Sequence, residues 1–100
     1  MLRFTLEFAV ATFVTANVFA QELNCNAPAR PKVNWSKCPK DGIKLREANL
    51  REAVLTDISL RGSDLIVSNL TNAKMERAKL EGVILPRTRL FEVNFTQAKR

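Results

Sequence analysis

The stretch "ANLREAVLTDISLRGSDLIVSNL", residues 48–70, places a leucine at positions 50, 55, 60, 65 and 70. No ordinary element has that period. Five steps along an α-helix turn about 500°, so successive leucines sit about 140° apart and make no stripe. Five steps along a strand end on the opposite face, which sends alternate leucines into water. Neither element buries them together.

Working outward in fives from Ile43, the chain reads IKLRE, ANLRE, AVLTD, ISLRG, SDLIV, SNLTN, AKMER, AKLEG, VILPR, TRLFE, VNFTQ and then AKR. The third residue of each unit is Leu45, Leu50, Leu55, Leu60, Leu65, Leu70, Met75, Leu80, Leu85, Leu90 or Phe95. The first is always small or β-branched, from Ile43 and Ala48 to Thr88 and Val93. The same frame runs back through VNWSK and CPKDG, which place Val33, Trp35 and Cys38 in those special positions, with Lys40 the one misfit among thirteen units.

The units "ANLRE", "SDLIV" and "SNLTN" are similar to the A-(D/N)-L-x-x pattern of the pentapeptide-repeat family, and the resemblance spans residues 33–98. It implies an all-β fold, a right-handed quadrilateral β-helix of about three coils. In that fold each pentapeptide forms one side, and four sides form a coil. The first and third residues then point to the axis, and every leucine reaches one interior. Stacking is obligatory: burying a leucine gains about 1.5–3 kcal/mol, whereas ordering five residues costs about 1–2 kcal/mol each. Residues twenty apart form interior columns: Trp35, Leu55, Met75 and Phe95; Leu45, Leu65 and Leu85; Leu50, Leu70 and Leu90; Lys40, Leu60 and Leu80. Lys40 fits only because its coil is the first, where its ammonium can reach out of the open end.

The remainder of the chain gives an address and a cap. "MLRFTLEFAVATFVTANVFA", residues 1–20, has Arg3 at its start, an apolar run from Phe8, and small residues before Gln21, as a cleaved secretory signal has. That run is too short for a spanning helix, and Asn24 in "ELNC" argues against lipid attachment at Cys25. In an exported chain the pair Cys25 and Cys38 reads as a disulfide. The expected organisation is therefore a signal peptide at 1–20, an N-terminal lid or linker at 21–32, and a repeat domain at 33–100. Pro28 and Pro31 stiffen the lid, and the disulfide pins it across the first coil. The opposite end has no such lid, so weak homodimerisation through the C-terminal end is expected.

Function is left to the outward positions. Ile66, Val67, Ile84 and Pro86 fall on one side and form a candidate partner patch. Arg61, Lys79, Lys99 and Arg100 fall on another and form a candidate basic stripe for anionic lipid or another polyanion. Gly62 and Gly82, twenty apart, suit corners with positive φ. The 100 residues carry 16 Lys and Arg against 10 Asp and Glu, a net charge of +6 that favours anionic partners.

The same residues argue against several function classes. There is no histidine or tyrosine, no nucleophile motif and no phosphate loop, so neither an enzyme nor a cofactor or metal site is expected. Asp57, Asp64, Glu47 and Glu52 face outward, with no pocket to raise a pKa for acid–base work. Some relatives in the family mimic DNA and inhibit a type II topoisomerase, which needs a negative rod; residues 43–100 carry eleven Lys and Arg against seven Asp and Glu. Nucleic acid is not an expected partner, since Phe91 is the lone outward aromatic in the repeats. The expectation is a non-catalytic structural or protein-interaction module of the cell envelope with an unassigned protein partner. The address is periplasmic, with secretion or the thylakoid lumen as alternatives.

Overall fold

The computed structural model describes residues 23–100; the expected signal segment lies outside the described residues. From Val33 onward the backbone repeats one five-residue step. At every corner but one the N–H of a first residue donates to the carbonyl of the preceding third residue, as from Ala53 to Leu50 at 3.1 Å and from Ala73 to Leu70 at 2.9 Å; at the exception Ile43 N–H reaches the Ser63 hydroxyl instead. The residue before the closing N–H has φ between 56° and 73° at all fourteen corners from Lys32 to Gln97. A closing i to i+3 bond with positive φ at i+2 is the requirement of a type II turn.

Sequence reasoning assigned positive φ to Gly62 and Gly82. The structure extends it to every fifth residue, eleven of them not glycine. The cause lies in the pairing between coils. The fifth-position N–H must point along the rod to reach the next coil, as Asp57 does to Glu76 at 2.9 Å and Glu52 to Thr71 at 2.8 Å. A left-handed residue costs roughly 1–2 kcal/mol, and the hydrogen bonds at both ends of the corner hold it there.

Coils stack with a register of twenty residues. Parallel bridges join Asn34 to Val54, Val54 to Lys74 and Lys74 to Asn94 on one side, and equivalent bridges continue around the other three. Each side of the middle coil, residues 53–72, contributes three axial bonds. Around Leu55, for example, Val54 N–H reaches Val33, Leu55 N–H reaches Lys74 and Asp57 N–H reaches Glu76, at 2.7 to 2.9 Å. Only the second residue of each side forms a bridge, because a corner every five residues leaves no room for a longer strand. The described residues therefore contain isolated bridges rather than extended strands.

One N–H per unit, at the fourth position, is reached by neither corner nor ladder. The second-position Asn or Asp supplies an acceptor. Asn69 Oδ1 accepts from Thr71 N–H at 3.0 Å, Asn94 Oδ1 from Thr96 N–H at 3.0 Å, and Asp64 Oδ1 from Ile66 N–H at 3.1 Å. These side-chain turns give the D/N of the sequence pattern its physical meaning.

The expected columns are present. Leu50, Leu55, Leu60, Leu65, Leu70 and Met75 are fully buried. Two hydroxyls share their interior, and both are satisfied. Ser63 donates to the Lys40 carbonyl at 2.8 Å and accepts from Ile43 N–H at 3.2 Å. Ser68 donates to the Leu45 carbonyl and accepts from Ala48 N–H at 3.3 Å. Buried polar groups persist in a core on that condition.

The leader crosses the first coil. Cys25 and Cys38 form a disulfide with Cα atoms 5.6 Å apart. The Trp35 indole N–H donates to the Ala27 carbonyl at 3.1 Å, and Asn24 N–H donates to the Asn34 carbonyl at 3.1 Å. Lys40 departs from expectation. Its ammonium does not leave through an open end; it donates to the Cys25 carbonyl and lies 4.3 Å from the centroid of the Trp35 ring. The lid supplies the acceptor and the ring that a half-buried cation needs.

Candidate functional site

Among the described residues the side chains free to meet another molecule lie on the faces and ends of the rod, and these are the candidate sites. Among the described residues no group of three or more His, Cys, Asp or Glu side chains comes together to hold a metal ion. Three of the four carboxylates weighed for acid–base work, Asp57, Asp64 and Glu52, engage cations instead. Asp57 receives two bonds from the Arg77 guanidinium at 3.0 Å, which hold its pKa below the ordinary carboxylate value. Asp64 pairs with Arg46 at 3.6 Å and Glu52 with Lys32 at 3.8 Å. Asp57, held ionised by its arginine, accepts hydrogen bonds rather than delivering protons.

The apolar patch assembles as its twenty-residue spacing requires. Asp64 bridges Ile84 on the next coil, and Val67 N–H donates to the Pro86 carbonyl at 3.2 Å. Ile66, Val67, Ile84 and Pro86 therefore occupy adjacent coils on one side and its corner. Val67 and Ile84 are 43% and 46% exposed, well above the level of the interior aliphatics. A shallow concavity of about 320 Å³ opens beside them, lined by Arg46, Glu47, Ile66 and Val67.

The basic stripe divides into two parts. Lys79 and Lys99 bridge directly, one coil above the other, with Arg100 adjacent in sequence. Arg61 belongs to the same side but sits between two acids, 3.8 Å from Asp41 and 3.1 Å from Glu81. Asp41 is held below the ordinary carboxylate pKa first by the Ser59 hydroxyl and then by Arg61. Glu81 is held down first by a backbone hydrogen bond and then by Arg61. The cationic character of this side thus rests on Lys79, Lys99 and Arg100.

Two features read only in part from the sequence take shape here. The first is the corner shared by Gly42, Gly62 and Gly82, a bare strip running down the rod. A Cβ at Gly42 or Gly62 would meet nothing within 4 Å, so packing does not demand glycine there. Its twenty-residue spacing was the available signal. The second is the far end of the shaft, where Leu80, Val83, Leu85, Leu90 and Phe95 line an apolar concavity of about 630 Å³.

A family model described as pentapeptide repeats matches the chain with eight copies, over residues 43–82 and 68–99. No match is found among curated proteins. The matched residues make up more than half of the chain, and in the structure they are the units whose apolar third residues pile up at twenty-residue intervals. On both grounds the chain belongs to the pentapeptide-repeat family.

Proposed function

We propose that the protein is a non-catalytic structural and protein-interaction module of the bacterial cell envelope, built on a right-handed quadrilateral β-helix. The observation that carries this reading is the Cys25–Cys38 disulfide across the first coil. Such a bond persists in an oxidising compartment, which agrees with the secretory character of residues 1–20. Family membership supports an interaction role. The interior is filled by side chains of the fold itself, so contacts are made by the outward residues and the ends.

The test is fractionation of cells producing the full chain. The mature protein is expected in the periplasmic extract, twenty residues shorter by mass spectrometry and without titratable thiols. Recovery from the cytosol at full mass with two free thiols overturns the address. Crosslinking within the envelope fraction then identifies the partner.

A second reading follows from the stacked Lys79 and Lys99: the basic side contacts an anionic envelope surface. Two like charges one coil apart gain from a shared anion and are screened by salt. Co-sedimentation with phosphatidylglycerol vesicles, set against phosphatidylcholine vesicles, measures it. Equal recovery with both removes this reading and leaves the first untouched.

A further inference from the structure

The corner that carries Val67 combines three properties found together at no other corner among the described residues. Val67 has φ 62°, a conformation that a β-branched side chain adopts only under strain. The other non-glycine residues in that conformation are Lys, Glu, Asp, Asn, Arg and Gln, all polar. Val67 is also 43% exposed, so burial within the chain does not reward the strain. Finally, it lies between two opposite charges in one column. Glu47 sits one coil before it and Arg87 one coil after, both at positive φ, and neither forms an ion pair among the described residues.

The order of that column, acid then apolar then base at equal steps, is self-complementary under a two-fold axis. We propose that this corner pairs with the same corner of a second copy, antiparallel and side by side, about an axis through Val67. Val67 then meets the partner's Val67, and Glu47 meets the partner's Arg87 at both ends of the contact. Ile66 and Pro86 flank the apolar centre on adjacent coils. This is the isologous arrangement of a closed dimer, in which each charge is used once. The inference rests on the interaction-module reading and names the partner of one surface. A contact limited to about three coils falls below the size of stable interfaces, so the dimer is weak and concentration-dependent.

Sedimentation equilibrium of the full mature protein, from about 1 μM to about 1 mM, reads the association directly. The wild type is expected to shift from monomer to dimer within that range, and more so at low salt. Glu47→Arg and Arg87→Glu each set like charges against each other and are expected to weaken dimerisation at least tenfold. The double variant exchanges the pair and is expected to restore it. Val67→Asn places a residue that tolerates positive φ at the centre; it is expected to raise the melting temperature by a few degrees and abolish the dimer. A monomer at every concentration overturns the inference. So does a dimer that ignores both charge variants but breaks on Leu85→Asp, which assigns pairing to the apolar end of the shaft. Capture of a different protein through Val67, with no self-association, overturns this inference while leaving the interaction-module reading in place.

Discussion

The two ends of the interior column that begins at Trp35 and finishes at Phe95 hold side chains of similar kind in the same register, yet their environments differ. Trp35 is 2% exposed and Phe95 is 37% exposed. Around Trp35 the leader contributes a disulfide, an acceptor for the indole N–H and an acceptor for Lys40. Around Phe95 the described residues contribute the half-buried Leu85 and Leu90 and a concavity. The difference shows that an interior position in a solenoid is not intrinsically dry. It is dry when something lies both above and below it: the Trp35 side of the first coil is dry because about ten residues of leader cover it, whereas Leu45 on the same coil stays half-buried.

The sharpest way to break this comparison is to truncate both aromatics. Trp35→Ala is expected to cost about 3–5 kcal/mol in urea unfolding, as removal of a fully buried aromatic does. Phe95→Ala is expected to cost less than half as much. Equal losses would mean that the lid adds nothing to the burial it provides. Next in size is the staple: replacing Cys25 and Cys38 together by serine is expected to cost about 3 kcal/mol in the chain-entropy account. In hydrogen exchange that loss should fall on the amides of Trp35, Cys38 and Lys40, and spare Ala78 and Lys99.

A smaller effect separates the ammonium from the staple. Lys40→Ala removes a charge-assisted hydrogen bond and a contact with the Trp35 ring, for an expected loss of about 1–2 kcal/mol, and Lys40→Met recovers part of it through apolar contact. The smallest effect is that of acid. Asp41, Asp57 and Glu81 are held below their ordinary pKa by hydrogen bonds, from Ser59, Arg77 and the backbone respectively, with the arginine charges adding to each. A lowered folded-state pKa gives stability that is complete above the unfolded value of about 4 and is lost as pH falls through the folded value. The melting temperature should therefore be flat from neutrality to about pH 5 and decline below about pH 4. Because these groups are exposed, 1 M salt should remove much of that decline.

Much of the fold was legible because one backbone step recurs. Once Leu50, Leu55 and Leu60 had to share an interior, the columns, the twenty-residue register and the gathering of Ile66, Val67, Ile84 and Pro86 followed by counting. The corner conformation was only half legible. Glycine announces positive φ through its own freedom, whereas Glu52, Asp57 and Arg77 adopt it because the ladder compels them, and nothing in their chemistry signals it. The charge partners were less legible still. Arg61 has an acid one coil on either side and engages both, which changes the basic stripe from four cations to three effective ones. Lys40 shows the same limit. Its place in the interior frame was clear, but the carbonyl and ring that receive it depend on how the leader crosses the coil.

The twenty-residue register also sets which insertions and deletions the surface can survive. Adding or removing five residues between Leu70 and Leu80 keeps every first and third residue facing the interior, yet it turns everything downstream by a quarter revolution. Ile84, Pro86 and Arg87 would then move to the neighbouring side, away from Ile66, Val67 and Glu47, with the core undisturbed. A change of twenty residues would instead lengthen or shorten the rod and leave its sides aligned. Evolutionary drift in length is therefore quantised differently for folding and for recognition: in fives for the former, in twenties for the latter.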